Sequence, residues 1–161
     1  MIGAPSDLKA MTTTAVHYAR LPSTAFAGTL GFGESADLLQ LESRILGAVD
    51  QLVEDLGAET IVDLLDDFIS DAPVRLRELD ALATRPDQLE IFRRTAHSFK
   101  GAAGIFGLAD LVQLSLELEM ATPVGSPRDS VLVDRVGELR CRFHESLPSL
   151  RSVRRQLQSR I

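Results

Sequence analysis

The sequence predicts an all-α protein: an antiparallel four-helix bundle with an additional N-terminal helix and a flexible N-terminal arm. Three observations carry this expectation. Leu and Ala are frequent, Trp is absent and Tyr occurs once, a mix that favours helix over sheet. Apolar residues recur at steps of three and four where strands would alternate by two. Short clusters of Pro, Gly and Asp separate those stretches, as the connections of a bundle do. The 161 residues suit one domain with tails, and 45% hydrophobic content is enough for a core.

Residues 1–34 read as a flexible or loosely docked arm, with Pro5, Pro22, Gly28, Gly31 and Gly33 and little periodicity. Phe26, Leu30 and Phe32 are its candidate anchors, and Met11 is a second candidate start. The helical domain is expected over 35–157, with the core bundle over 50–147. Ser35 is placed to cap a first helix over about 36–49, whose stripe is Leu38, Leu41, Ile45 and Val49; a short segment follows, and Gly57 ends or bends it. The next helix spans 58–83 with Ile61, Leu65, Phe68, Ala72, Leu76, Leu79 and Leu82 on one stripe, and Pro73 predicts a kink or two abutting helices. Asp87 and Glu90 have capping-box spacing for a helix over 88–104 that buries Leu89, Phe92, Ala96, Phe99 and Ala103. A helix over 108–120 buries Leu108, Leu111, Ser115 and Leu118, and residues 122–127 form a loop. A last helix starts at Asp129, with Leu132, Val136, Leu139, Phe143 and Leu147 as its stripe; Pro148 is expected to bend or break it and leave a frayed tail.

Charge and cysteine usage exclude several classes. A net charge of -6 argues against a phosphate-binding basic face, hence against nucleic acid. Residues 50–71 carry eight carboxylates and no Lys or Arg, whereas the segment from Arg128 to Arg160 is rich in Arg. The single Cys141 excludes an internal disulfide and a thiolate zinc cluster, and it reads as a buried or half-buried filler. No apolar run approaches membrane-spanning length, and the N-terminus lacks a basic start followed by an apolar segment. The expected setting is cytoplasmic, with no membrane partner and a monomeric chain.

The stretch TAHSFKGAAGIFG, residues 95–107, holds the candidate chemistry. With Ala96 and Phe99 in the core, His97 points to the wet flank, with Lys100, Gly101 and Gly104 on its side and Arg93 and Arg94 bordering it. A neutral imidazole is a good nucleophile with a pKa near neutrality. Lys100, one turn on, is placed to attract phosphoryl oxygens. Gly101 lies four residues on and presents no side chain there. A mid-helix glycine costs about 1 kcal/mol relative to alanine, so it wants a reason: access to His97, or close packing against a neighbouring helix. The bland alternative for His97 is an exposed helical residue with no task.

Other constellations carry less. His17 and His144 form no metal spacing with His97, and no metal site is expected. GAAGIFG follows a helix and lacks a GKS or GKT ending, so it is not a phosphate-binding loop. Glu117 and Glu119 are two apart and do not face one another; Glu119 reads as a residue on the bundle surface.

Residues 96–119, AHSFKGAAGIFGLADLVQLSLELE, resemble the signature of histidine-containing phosphotransfer (HPt) domains of multistep phosphorelays. The matching positions are His97, Lys100, Gly101, Gly107, Leu111, Leu114, Leu118 and the closing Glu119, and the resemblance extends over about 50–147. Phe99 replaces a commoner leucine, and Ser115 stands where many members carry cysteine. The resemblance implies a phosphocarrier, not an enzyme in its own right: Nε2 of His97 accepts a phosphoryl group from an aspartyl phosphate of a response-regulator receiver domain and passes it to another. It implies Lys100 for phosphate charge, Gly101 for steric access, and Arg93, Arg94 and Gly104 at the docking surface. It implies no intrinsic cofactor, since Mg²⁺ comes with the receiver, and a hybrid histidine kinase as a further partner. The competing reading is a non-catalytic helical module that docks on and inhibits a receiver or histidine kinase, with His97 idle.

Overall fold

The structure is a computed structural model that describes residues 33–120 and 129–161. Five α-helices occur among them: α1 (Gly33–Leu56), α2 (Ala58–Ala83), α3 (Leu89–Ile105), α4 (Ala109–Glu119) and α5 (Asp129–Gln158). Of the expected arm over residues 1–34, residues 1–32, with Phe26, Leu30, Phe32 and His17, lie outside the described residues, as does the expected loop at 122–127, while Gly33 and Glu34 belong to α1. Helices α2, α3, α4 and α5 form the bundle as a ring in which each packs on the next and α5 closes on α2. Helix α1 is the additional helix and lies against α5 and α2.

The expected stripes face the core. Ile61, Leu65, Phe68, Ala72, Leu76 and Leu79 of α2 are buried in one core with Phe92, Ala96, Phe99 and Ala103 of α3. Phe68 anchors an aromatic cluster, with ring centroids 6.0 Å from Phe99, 5.2 Å from Phe106 and 5.9 Å from Phe143. Tilted and edge-on pairs of this kind add to plain area burial. Because Ala96 and Phe99 are fully buried, the helical repeat puts His97 on the opposite, solvent side of α3.

Several local expectations are corrected. Helix α1 begins at Gly33, ahead of the expected cap Ser35, and runs unbroken to Leu56, because Leu52 and Val53 continue its apolar stripe against the core. Gly57, at φ 87°, ends it. Helix α2 is one helix with Pro73 inside, not two abutting helices, and α5 is not broken at Pro148, which lies inside it. A helix-interior proline costs about 3 kcal/mol, yet Leu76 and Leu79 are buried beyond Pro73, and Leu150, Val153 and Leu157 are fully buried beyond Pro148. Burying several such side chains, at about 1.5–3 kcal/mol each, outweighs the penalty, so the segment after Pro148 is packed and not frayed. The capping box at Asp87 and Glu90 does not form. Pro86–Gln88 make a 3₁₀ turn instead, and Gln88 precedes α3 with no side-chain cap. Cys141 is exposed, not a core filler, because it falls on the outer side of α5 while Leu139 and Phe143 face inward.

Candidate functional site

The turn between α3 and α4 sets the geometry of the site. Gly107 has φ 63°, a left-handed value that glycine adopts without strain. Its N–H donates to the Gly104 carbonyl, and the N–H of Leu108 donates to the Ala103 carbonyl, both at 3.1 Å. This pair is a Schellman motif, which satisfies the last carbonyls of α3 and reverses the chain. A Cβ on Gly107 would also lie 2.8 Å from Cβ of Ala48 in α1. Backbone conformation and the approach of α1 therefore both demand glycine here.

With the corner fixed, α3 and α4 run back antiparallel, and residues at similar distances from the turn meet. His97 lies ten residues before Gly107 and Glu119 twelve after it. Oε1 of Glu119 lies 2.7 Å from Nδ1 of His97, and Oε2 of Glu119 accepts a hydrogen bond from Nζ of Lys100. The imidazole is 65% exposed, whereas Lys100 and Glu119 are about a quarter exposed, at 24% and 27%. Glu119 is the last residue of α4, at the negative end of the helix dipole, where a carboxylate is disfavoured. The Lys100 ammonium, then the His97 hydrogen bond, nevertheless hold it below the ordinary carboxylate range, against a smaller opposing effect of burial.

This fixes the imidazole tautomer. An ionised carboxylate only accepts hydrogen bonds, so Nδ1 of His97 carries the proton and donates it to Glu119. The neutral ring then has its lone pair on Nε2. The arrangement can therefore present an oriented nucleophilic nitrogen and stabilise positive charge that develops on the ring when Nε2 forms a bond.

The other predicted site residues occupy definite places. Gly101 is exposed, and nothing lies within 4 Å of where its Cβ would be. That removes helix packing as the reason for glycine and leaves open space beside His97. Gly104 is exposed next to α4, where a Cβ would make ordinary contact with Val112 at 3.9 Å. Arg93 is half-buried and Arg94 exposed on the same helix. His144 is remote, with its Nδ1 2.7 Å from the Arg140 carbonyl. Among the described residues no group of three or more His, Cys, Asp or Glu side chains could hold a metal ion, and no helix is long and apolar enough to cross a membrane.

Glu119 is the site residue that reading along the chain missed. Spacing within α4 relates it only to Glu117; its partners come from α3. The available signal was the glycine corner, since similar offsets on either side of such a turn converge.

An exposed imidazole oriented by a carboxylate on a helical bundle defines a candidate histidine phosphocarrier. The Hpt domain family model matches residues 63–153, more than half of the chain, and the chain belongs to that family, whose members act in histidine phosphotransfer. No curated protein and no solved structure matches the chain.

Proposed function

We propose that the protein relays a phosphoryl group between aspartates of response-regulator receiver domains through phospho-His97. The observation that carries this reading is the bond between Glu119 and Nδ1 of an otherwise exposed His97. Nε2 of His97 attacks phosphorus of the receiver's aspartyl phosphate. The N–P bond forms as the P–O bond to the acyl oxygen breaks, and the receiver's carboxylate leaves. The ring, still protonated on Nδ1, becomes a phosphoimidazolium whose positive charge faces the Glu119 carboxylate. Because that attraction is greatest when the ring is charged, it favours transfer over mere binding. Retaining the Nδ1 proton keeps the ring a good leaving group, so a second receiver aspartate can take the phosphoryl group by the reverse of the same step.

Lys100 has two tasks in this scheme. It anchors Glu119 before transfer and lies one turn from His97, where its charge offsets the phosphoryl oxygens. Gly101 leaves the receiver room to bring its phosphoryl group in line with Nε2. Arg93, Arg94 and Gly104 border the docking surface. The receiver brings Mg²⁺, and a hybrid histidine kinase charges the first receiver.

The test is transfer from a panel of receiver domains carrying radiolabelled aspartyl phosphate, with Mg²⁺, to the wild-type chain and to His97→Gln. Rapid acid-labile, base-stable labelling of wild type alone is the expected result. Absence of label from receivers shown to be competent would leave an inhibitory docking module as the better account.

A further inference from the structure

The two flanks of α3 beside His97 are electrostatically different. On the α4 flank the Lys100 cation is already matched by the Glu119 carboxylate. On the α2 flank the cation is Arg75, whose Nη1 donates to Oγ of Ser98 at 3.0 Å. Ser98 is the residue after His97. Arg75 is half-buried and, among the described residues, pairs with no carboxylate; its recorded partner is a neutral hydroxyl. Half-buried Arg154, by contrast, is held bidentately by Asp66. A guanidinium has five N–H donors in a planar fork. Asp71, one turn earlier on α2, forms no ion pair with Arg75, so one contact to a hydroxyl leaves most of that fork for another acceptor.

The surface beside Arg75 is shaped for contact. A groove of about 150 Å³ runs between α2 and α3 over Phe68, Ala72, Phe99 and Ala102, edged by Ile105, which is 41% exposed. Arg75 stands at the end next to Ser98, whereas Asp71, one turn earlier on α2, and Asp67, two turns earlier, line the groove away from it. An apolar floor with a cation at the end nearest His97 and two carboxylates further along α2 favours a partner whose charges run in the complementary order.

We propose that Arg75 is a specificity-determining residue: its guanidinium, parked on Ser98, takes up a carboxylate of the receiver that docks over the α2–α3 groove, and so selects which receiver reaches His97. This inference rests on the phosphorelay reading. Arg75 acts on docking and orientation; the attack on phosphorus belongs to His97.

The experiment uses the full chain as wild type, Arg75→Gln, Arg75→Lys and Ser98→Ala, with the receiver that labels wild type fastest as the probe. Transfer rate is followed against receiver concentration at low and at physiological salt. For Arg75→Gln the half-saturating receiver concentration rises about tenfold, the loss expected for one desolvated charge pair. The plateau rate stays within about twofold and the salt dependence flattens. The preference for this receiver over the next best in the panel narrows by the same factor. Arg75→Lys keeps the charge and recovers most of the loss, which a purely structural role would not predict. Ser98→Ala, which removes only the parking place, changes half-saturation by less than about threefold. An unchanged half-saturation in Arg75→Gln overturns the proposal, as does a fall confined to the plateau, or an equal loss in Arg75→Gln and Arg75→Lys. If no receiver labels wild type, the phosphorelay reading itself fails and the inference falls with it.

Discussion

Glu119 at the far end of α4, against α3, and Asp66 on the seam between α2 and α5 are both held below the ordinary carboxylate range, and in both the largest cause is a hydrogen bond from a cation. Their surroundings differ. Asp66 faces one partner, Arg154, through Nε at 2.7 Å and Nη2 at 2.8 Å, and Arg154 is raised in turn. That fork closes on itself and ties two helices at a half-exposed surface. Glu119 divides its oxygens between an ammonium and a ring nitrogen, and the ring is the most exposed member of the group. A displaced carboxylate alone therefore does not mark a site. What separates the two places is the chemistry of the second partner: Arg154 has nothing to do with its charge but hold, whereas the imidazole has a second nitrogen left to react.

The comparison breaks most readily at Glu119. Glu119→Ala should slow transfer from a receiver by about 10- to 100-fold, as loss of an orienting carboxylate does elsewhere. Nitrogen NMR of the free protein should then show both tautomers of His97, where wild type shows only the Nδ1–H form. Glu119→Gln keeps an acceptor oxygen and should lose less. If Glu119→Ala transfers at the wild-type rate, the Glu119 contact is no more than another ion pair.

Moving the corner itself comes next. Gly107→Ala forces a left-handed side chain against Ala48 and should destabilise the fold by about 1–3 kcal/mol, read as a lower denaturant midpoint. It should slow transfer too, since α4 carries Glu119. Gly101→Ala should do the reverse to stability, raising it by about 0.5–1 kcal/mol through helix propensity, while still slowing transfer because the open space beside His97 is filled. A slower yet more stable variant separates access from folding in one measurement.

The smallest effects belong to the seam. Asp66→Asn should lower Tm by less than about 4 °C and leave transfer unchanged, as half-exposed ion pairs contribute little. Both carboxylates are depressed in the folded state, so what each contributes to stability is present above its unfolded pKa and is lost as pH falls through its folded one. An acid titration should therefore show both ties intact down to about pH 4 and released below it. Asp66→Asn should remove one component of that acid transition, and Glu119→Gln the other.

Much of the fold was legible because helical periodicity repeats many times along each element. The core stripes of α2, α3 and α4 follow from spacing alone, and so does the outward position of His97 between buried Ala96 and Phe99. The readings that failed concern single residues whose local preference competes with burial. Pro148 signals a break, yet α5 runs through it because Leu150, Val153 and Leu157 beyond it reach the core, and α1 starts ahead of the expected cap Ser35. Asp87 has the spacing of a cap, yet a 3₁₀ turn takes its place.

The order of residues along the chain by itself determined that His97 stands on a wet helical face and which lysine and glycine share that face. Periodicity and backbone conformational limits act within one element, so one element is enough to read them. Only the tertiary structure decided that Glu119 carries the Nδ1 contact, that Lys100 is engaged with that carboxylate, and that Arg75 meets Ser98. Each of these joins two helices, and hydrogen bonds of under about 3 Å depend on how the corner at Gly107 and the shared aromatic core set one helix against another.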